Sequence, residues 1–125
     1  MASPLGRIEV CFLIGPSDTI LWADTTGSAA AMPDSRSRWE AIWERRDAVR
    51  EIAHSHPIGP LAFSWEDQTT MDALELALGR TIRFSVVAPN GMIAREGASN
   101  ETVRVDPEPW WAGLLRNASG MIEEE

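Results

Sequence analysis

The sequence has no tyrosine, one cysteine and two histidines among its 125 residues. Each scarcity excludes something. Cys11 has no second cysteine to pair with, so no internal disulfide braces the fold, and nothing argues for an oxidising compartment. No apolar run approaches the roughly 20 residues that span a bilayer. The N-terminal stretch MASPLGRIEVCFLIG lacks the basic start and small-residue cleavage site of a signal peptide. The chain therefore reads as cytoplasmic, with no membrane partner. Cationic residues are also few, 11 against 19 acidic ones, leaving a net charge of −8. Nucleic acid needs clustered cations, and the short basic cluster WERRDAVR reads as the solvated face of a helix.

What is present is the composition of a folded protein. An apolar fraction of 44% with 24% charged residues leaves disorder for the ends only, and the length suits one domain, 1–125. RIEVCFLI is β-branched enough for a strand, GPSD is a turn cluster, and TILWA is the returning strand. Residues 24–36 read as a loop. A helix is expected from Ser37 to Arg46, with Trp39, Ile42 and Trp43 on one face. VREIAH is a strand that Pro57 ends by restricting His56 to extended geometry. A second helix begins near Ser64, turns Met71, Leu74 and Leu78 inward, and closes at Gly79. TIRFSVVA and MIAR flank a tight turn of the Asn-Gly kind, and a short helix forms around WWAGLLR, before a frayed acidic tail. This order of elements implies a mixed α/β (α+β) fold, a central mixed β-sheet flanked by helices.

The two histidines stand together in AHSHPIGPLAFSWEDQ, residues 53–68. On a strand, side chains two apart point the same way, so His54 and His56 can converge on one ion. Asp67 lies a turn into the next helix, and the intervening loop can fold it back. Two neutral imidazoles and a carboxylate suit Zn²⁺, with a fourth position left for water. An equally physical reading is local: Ser64 and Asp67 fit a capping box, beside two incidental histidines.

The pattern His54-Ser55-His56-Pro57, six residues, then Ser64-Trp65-Glu66-Asp67 resembles the motif of the JAMM (MPN-plus) zinc metalloproteases. The resemblance is clearest over residues 6–96, with 97–125 as an extension. It implies a cytidine-deaminase-like architecture, zinc held by His54, His56 and Asp67, and Ser64 steadying the oxyanion. It further implies hydrolysis of a peptide or isopeptide bond. The protein or peptide substrate would be an extended tail, of the kind carried by ubiquitin-like or sulfur-carrier proteins, laid along a sheet edge.

Such chemistry needs a group to take and return a proton. In the family it is an early glutamate, and EVCFLIG offers Glu9. Two departures attend it: Phe12 stands where a small residue is usual, and Gly15 comes one position early. Only eight residues precede Glu9, where the family tends to place a helix, so a trimmed domain is expected. Ile8, Val10, Phe12 and Ile14 form one strand face and Glu9, Cys11 and Leu13 the other; Glu9 would be solvated if that second face were bare. Glu51, three residues before His54, should face away. The other reading of the chain is a non-catalytic MPN-type interaction module that retains zinc. Trp39 and Trp43 are expected to anchor their helix, Trp65 to line a substrate groove, and one of Trp110 and Trp111 to be exposed. Cys11 reads as a small core residue.

Overall fold

The computed structural model describes residues 7–25, 36–96 and 101–121. Strand parity decides its layering. Along β1 (Cys11–Ile14) the side chains alternate between two sides, and both sides are apolar. Cys11 and Leu13 pack with Ile52, Phe84 and the inner residues of two helices, Ala41 and Ile42 on α1 (Arg36–Glu44) and Met71 and Leu74 on α2 (Trp65–Leu78). Val10, Phe12 and Ile14 pack the opposite way, onto Trp111, Ala112 and Leu115 of α3 (Trp110–Ser119). The sheet is thus covered on both faces. The second face of the Glu9 strand, on which its solvation depended, is interior.

The remaining strands are β2 (Ile20–Asp24), β3 (Glu51–Ser55), β4 (Arg83–Ala88), β5 (Gly91–Glu96) and β6 (Thr102–Arg104). They form one six-stranded sheet in the order β2-β1-β3-β4-β5-β6. β3 and β4 run parallel and the other neighbours antiparallel. A parallel pair needs a long crossover, and here the crossover contains α2. The chain is therefore a mixed α/β fold with three α-helices among its described residues. None of these helices is long and apolar enough to cross a membrane.

Most expected elements form, with shifted ends. The first strand begins at Cys11 rather than at residue 7, because the amide of Val10 bonds the Ser55 hydroxyl instead of a backbone carbonyl. The first helix ends at Glu44, so the basic cluster is not a helix face. Two of its arginines turn back onto the helix end: Arg45 donates to the Ala41 carbonyl and Arg46 to the Trp43 carbonyl, where cations complement the dipole. Of the expected loop at 24–36, Asp24 belongs to β2 and Arg36 to α1, and 26–35 lie outside the described residues. The Ala88↔Gly91 pairing makes Pro89 and Asn90 the central residues of the hairpin turn, one position earlier than an Asn-Gly turn. β6 was not anticipated, being three residues long and exposed. The acidic tail also falls outside the described residues.

Trp39 packs against the helical core as expected, but Trp43 does not anchor α1. It is 53% exposed, with the Arg46 guanidinium 4.2 Å above its ring. Trp111 is fully buried and Trp110 exposed, which resolves that pair. Both indole N–H groups donate to Asp18, Trp110 at the carbonyl (3.0 Å) and Trp111 at Oδ1 (3.2 Å). This ties α3 to the short 3-10 turn Pro16–Asp18.

Candidate metal centre

The parity that buries Ile52 against α1 and α2 sends His54 to the same side, two residues on. His54 is the register neighbour of Cys11 across the antiparallel β1–β3 pair. Two residues further along that register, Glu9 comes towards His56. His56 itself lies just past the end of β3, where its amide donates to the Val87 carbonyl at 2.9 Å. That bond continues the parallel β3–β4 ladder one residue beyond the strand. It fixes the second ring at the carboxyl end of the parallel pair, where open α/β sheets place their ligands.

The ring orientation of His56 follows from its surroundings. Its Nδ1 lies 2.9 Å from the Pro60 carbonyl oxygen. A carbonyl can only accept, so Nδ1 carries the proton in the neutral ring and Nε2 keeps its lone pair. That Nε2 lies 3.2 Å from His54 Nε2. Asp67 completes the group, with Oδ1 at 3.1 Å from His54 Nε2 and Oδ2 at 3.4 Å from His56 Nε2. Lone pairs held this close repel unless a proton or a cation lies among them. Ligands of a tetrahedral centre with bonds of about 2.0–2.1 Å stand roughly 3.3 Å apart, which is the spacing seen here. His54, His56 and Asp67 could therefore hold a metal ion.

The capping box and the ligand set are one arrangement. Ser64 is the N-cap of α2: its hydroxyl accepts from the Asp67 amide at 3.0 Å, and Asp67 Oδ2 accepts from the Ser64 amide at 2.7 Å. The bond that starts the helix also aims the carboxylate at the rings. Burial alone would raise the Asp67 pKa, but hydrogen bonds from His54 and His56 outweigh it and hold the carboxyl well below its usual range. Burial would likewise lower His56, yet Asp67 and the Pro60 carbonyl raise it on balance.

Glu9 enters from the segment just before β1. Its Oε1 lies 3.8 Å from His56 Nε2, and the residue is 6% exposed. Burial raises its pKa, against the pull of the two histidines. Glu51 is also buried, but it lies beside Arg83, away from the histidines.

A cavity of about 380 Å³ opens beside these groups, between the sheet and the helices α1 and α2. Glu9, His54, His56, Ser64 and Asp67 share it with apolar walls that include Ile42, Met71 and Phe84. Glu51 lines no part of it. Trp65 is not one of its walls either; the side chain is 76% exposed at the first turn of α2. Arg38 of α1 does line the cavity, with Nε 4.0 Å from Asp24 Oδ2. Sequence reading missed Arg38 and the Pro60 carbonyl, since one depends on how α1 docks and the other is backbone. Cys11 lies in the same wall, its thiol pushed up to about 12 by burial, and is unreactive there.

Chemically, the arrangement offers two imidazole nitrogens and a carboxylate facing one point. A second, protonatable carboxyl and a hydroxyl stand beside an apolar cavity. No family model matches the chain, and no curated protein matches it either.

Proposed function

We propose that the protein is a zinc-dependent hydrolase of the JAMM (MPN-plus) type, acting on a peptide or isopeptide bond. The observation that carries this reading is the convergence of His54, His56 and Asp67 at 3.1–3.4 Å, with Glu9 3.8 Å from His56. A cytidine-deaminase-like architecture belongs to the same proposal. Glu9 just before a strand, the histidine pair, a helix and a hairpin follow one another in the order that resemblance implies.

An ion in the site would supply Lewis acidity and a water acidic enough to lose its proton near neutral pH. The protein's own groups do the rest. Asp67 and the two Nε2 atoms give an open, three-ligand set, the arrangement of catalytic rather than structural zinc sites. Glu9 takes a proton at its carboxylate and returns it to the departing amine. Its raised pKa suits it to both halves of that transfer. The Ser64 hydroxyl accepts from the Asp67 amide but keeps its own proton, which it can donate to a developing oxyanion. The apolar cavity receives a substrate side chain and excludes water. An extended peptide tail, such as that of a ubiquitin-like or sulfur-carrier protein, could add to the outer side of the edge strand β2.

The test is bound metal per chain by elemental analysis, on wild type and His56→Ala side by side, followed by cleavage assays on tailed ubiquitin-like substrates. The proposal expects zinc in the wild type, its loss in the variant, and cleavage that Glu9→Gln abolishes. Absence of zinc from both proteins, even after it is added back, would sink the proposal. Partner binding that is the same with and without zinc, and without cleavage, would make the chain an interaction module.

A further inference from the structure

Glu9 precedes β1, and backbone pairing with β3 reaches only as far as Val10, whose carbonyl accepts from the Ser55 amide at 3.0 Å. The two peptide groups that flank Glu9 itself are met by serine hydroxyls. The Val10 amide donates to Ser55 Oγ at 2.8 Å, and Ser55 Oγ lies 2.9 Å from Ser119 Oγ. The Ser119 hydroxyl can donate to the Ile8 carbonyl, and the Ile8 amide donates to the Ser119 carbonyl at 3.0 Å. Each hydroxyl has one proton. The chain is satisfied in either of two ways: Ser119 donates to Ser55 and Ser55 to the Ile8 carbonyl at 3.5 Å, or Ser119 donates to Ile8 and Ser55 to Ser119. Peptide groups on both sides of Glu9 are thereby tied to one pair of side chains.

Both serines are wholly buried, on the α3 side of the sheet, where an unbonded hydroxyl would be costly. Their positions are informative. Ser55 sits between His54 and His56 at the end of β3, and Ser119 is the last residue of α3, fixed by the left-handed cap at Gly120. The same network therefore touches the histidine strand, the residues flanking Glu9 and the end of the last helix.

We propose that Ser119, acting through Ser55, is a positioning residue that sets the distance between Glu9 and the histidine pair. This rests on the proposed role of Glu9 as the proton-transferring group. Ser119 touches none of the candidate ligands, so its removal leaves the metal in place and releases Glu9. The α3 helix thereby takes part in the site although it lies on the far side of the sheet.

Cobalt(II) provides the test, because its paramagnetic shifts report where nearby nuclei sit relative to the ion. Wild type, Ser119→Ala and Ser119→Thr are loaded with cobalt and compared by NMR. In Ser119→Ala, cobalt binds with unchanged stoichiometry. The Glu9 side-chain shifts collapse or move, while those of Val86, the register neighbour of His54, stay as in wild type. Amide exchange at Val10 speeds up at least tenfold, with Val86 unchanged. Ser119→Thr, which keeps the hydroxyl, restores the Glu9 shifts. Should Ser119→Ala not fold, Ser119→Cys, with a weaker donor, shows the same changes in smaller measure. Wild-type Glu9 shifts and Val10 exchange in a folded Ser119→Ala overturn the inference. If wild type binds no cobalt, the metal reading fails, and Val10 exchange in the metal-free variants alone decides whether the clamp exists.

Discussion

Ser64 and Asp67 bond each other twice, hydroxyl to amide at 3.0 Å and amide to carboxylate at 2.7 Å, and the same carboxylate faces both histidines. A helix start and a candidate ligand are one unit. Substitutions at Ser64 can therefore separate folding from chemistry. Ser64→Ala removes the cap and costs about 0.5–2 kcal/mol, whereas Ser64→Gly costs only a few tenths of that unit. Both should lose the proposed oxyanion donor and keep the metal content of the wild type. Urea denaturation, metal analysis and turnover on the three proteins check this. Equal turnover in wild type and Ser64→Gly would remove Ser64 from the catalytic role.

Glu9→Gln keeps the shape of the side chain and removes its basicity. Zinc content should match wild type, and kcat should fall by about 10²–10⁴, the usual worth of a positioned acid–base group. Asp67→Ala differs, losing zinc and the capping box together. A Glu9→Gln protein that loses its zinc would place Glu9 among the ligands instead.

The pH dependence of the metal-free protein has a definite sign. Glu9, by burial, and His56, by its bonds to Asp67 and Pro60 overcoming burial, both have raised pKa values. Such groups contribute stability in full below their unfolded values, and that contribution is lost as pH rises through the folded ones. Asp67 is depressed, so its contribution is present above the ordinary carboxylate range and is lost as pH falls below it. The metal-free protein should lose thermal stability as pH climbs from about 4.5 through the histidine range. Zinc must displace the proton that His56 binds, so the rise in Tm that zinc gives should grow with pH. Calorimetry with and without zinc measures both trends. A zinc increment that shrinks between about pH 6 and 8 would contradict the assignment of His56 as a ligand.

The tryptophans divide by burial rather than by sequence context. Trp111→Ala, in a fully buried position, should cost about 3–5 kcal/mol. Trp43→Ala loses an exposed ring and one cation–π contact with Arg46, and should cost about 1 kcal/mol or less. Denaturant midpoints of the two variants give the comparison. Equal losses would mean that Trp43 anchors α1 after all.

The local half of the site was legible in the sequence and the rest was not. His54, His56, Ser64 and Asp67 lie within one short segment, and strand parity and capping chemistry both act over a few residues. The alternation around Glu9 was also readable, but whether its face was covered depended on α1 and α2 docking there. Trp43 was misread because helical spacing says which residues share a face, not where that face ends. β6 escaped notice because three exposed residues, Thr102–Arg104, have no core-facing pattern to see. Ser119 left no signal at all, since its partner Ile8 stands 111 residues away.

The candidate centre thus has a short-range half and a long-range half. The three candidate ligands come from one short stretch of chain, so closing them around an ion would cost little loop entropy. Glu9 reaches them only through β1–β3 pairing and the contact with α3, which require most of the fold. On the proposed reading, a chain that had lost α3 would keep the ion-binding group while losing the placement of Glu9, the proposed proton-transferring residue. Metal content would then count bound ions, not working molecules.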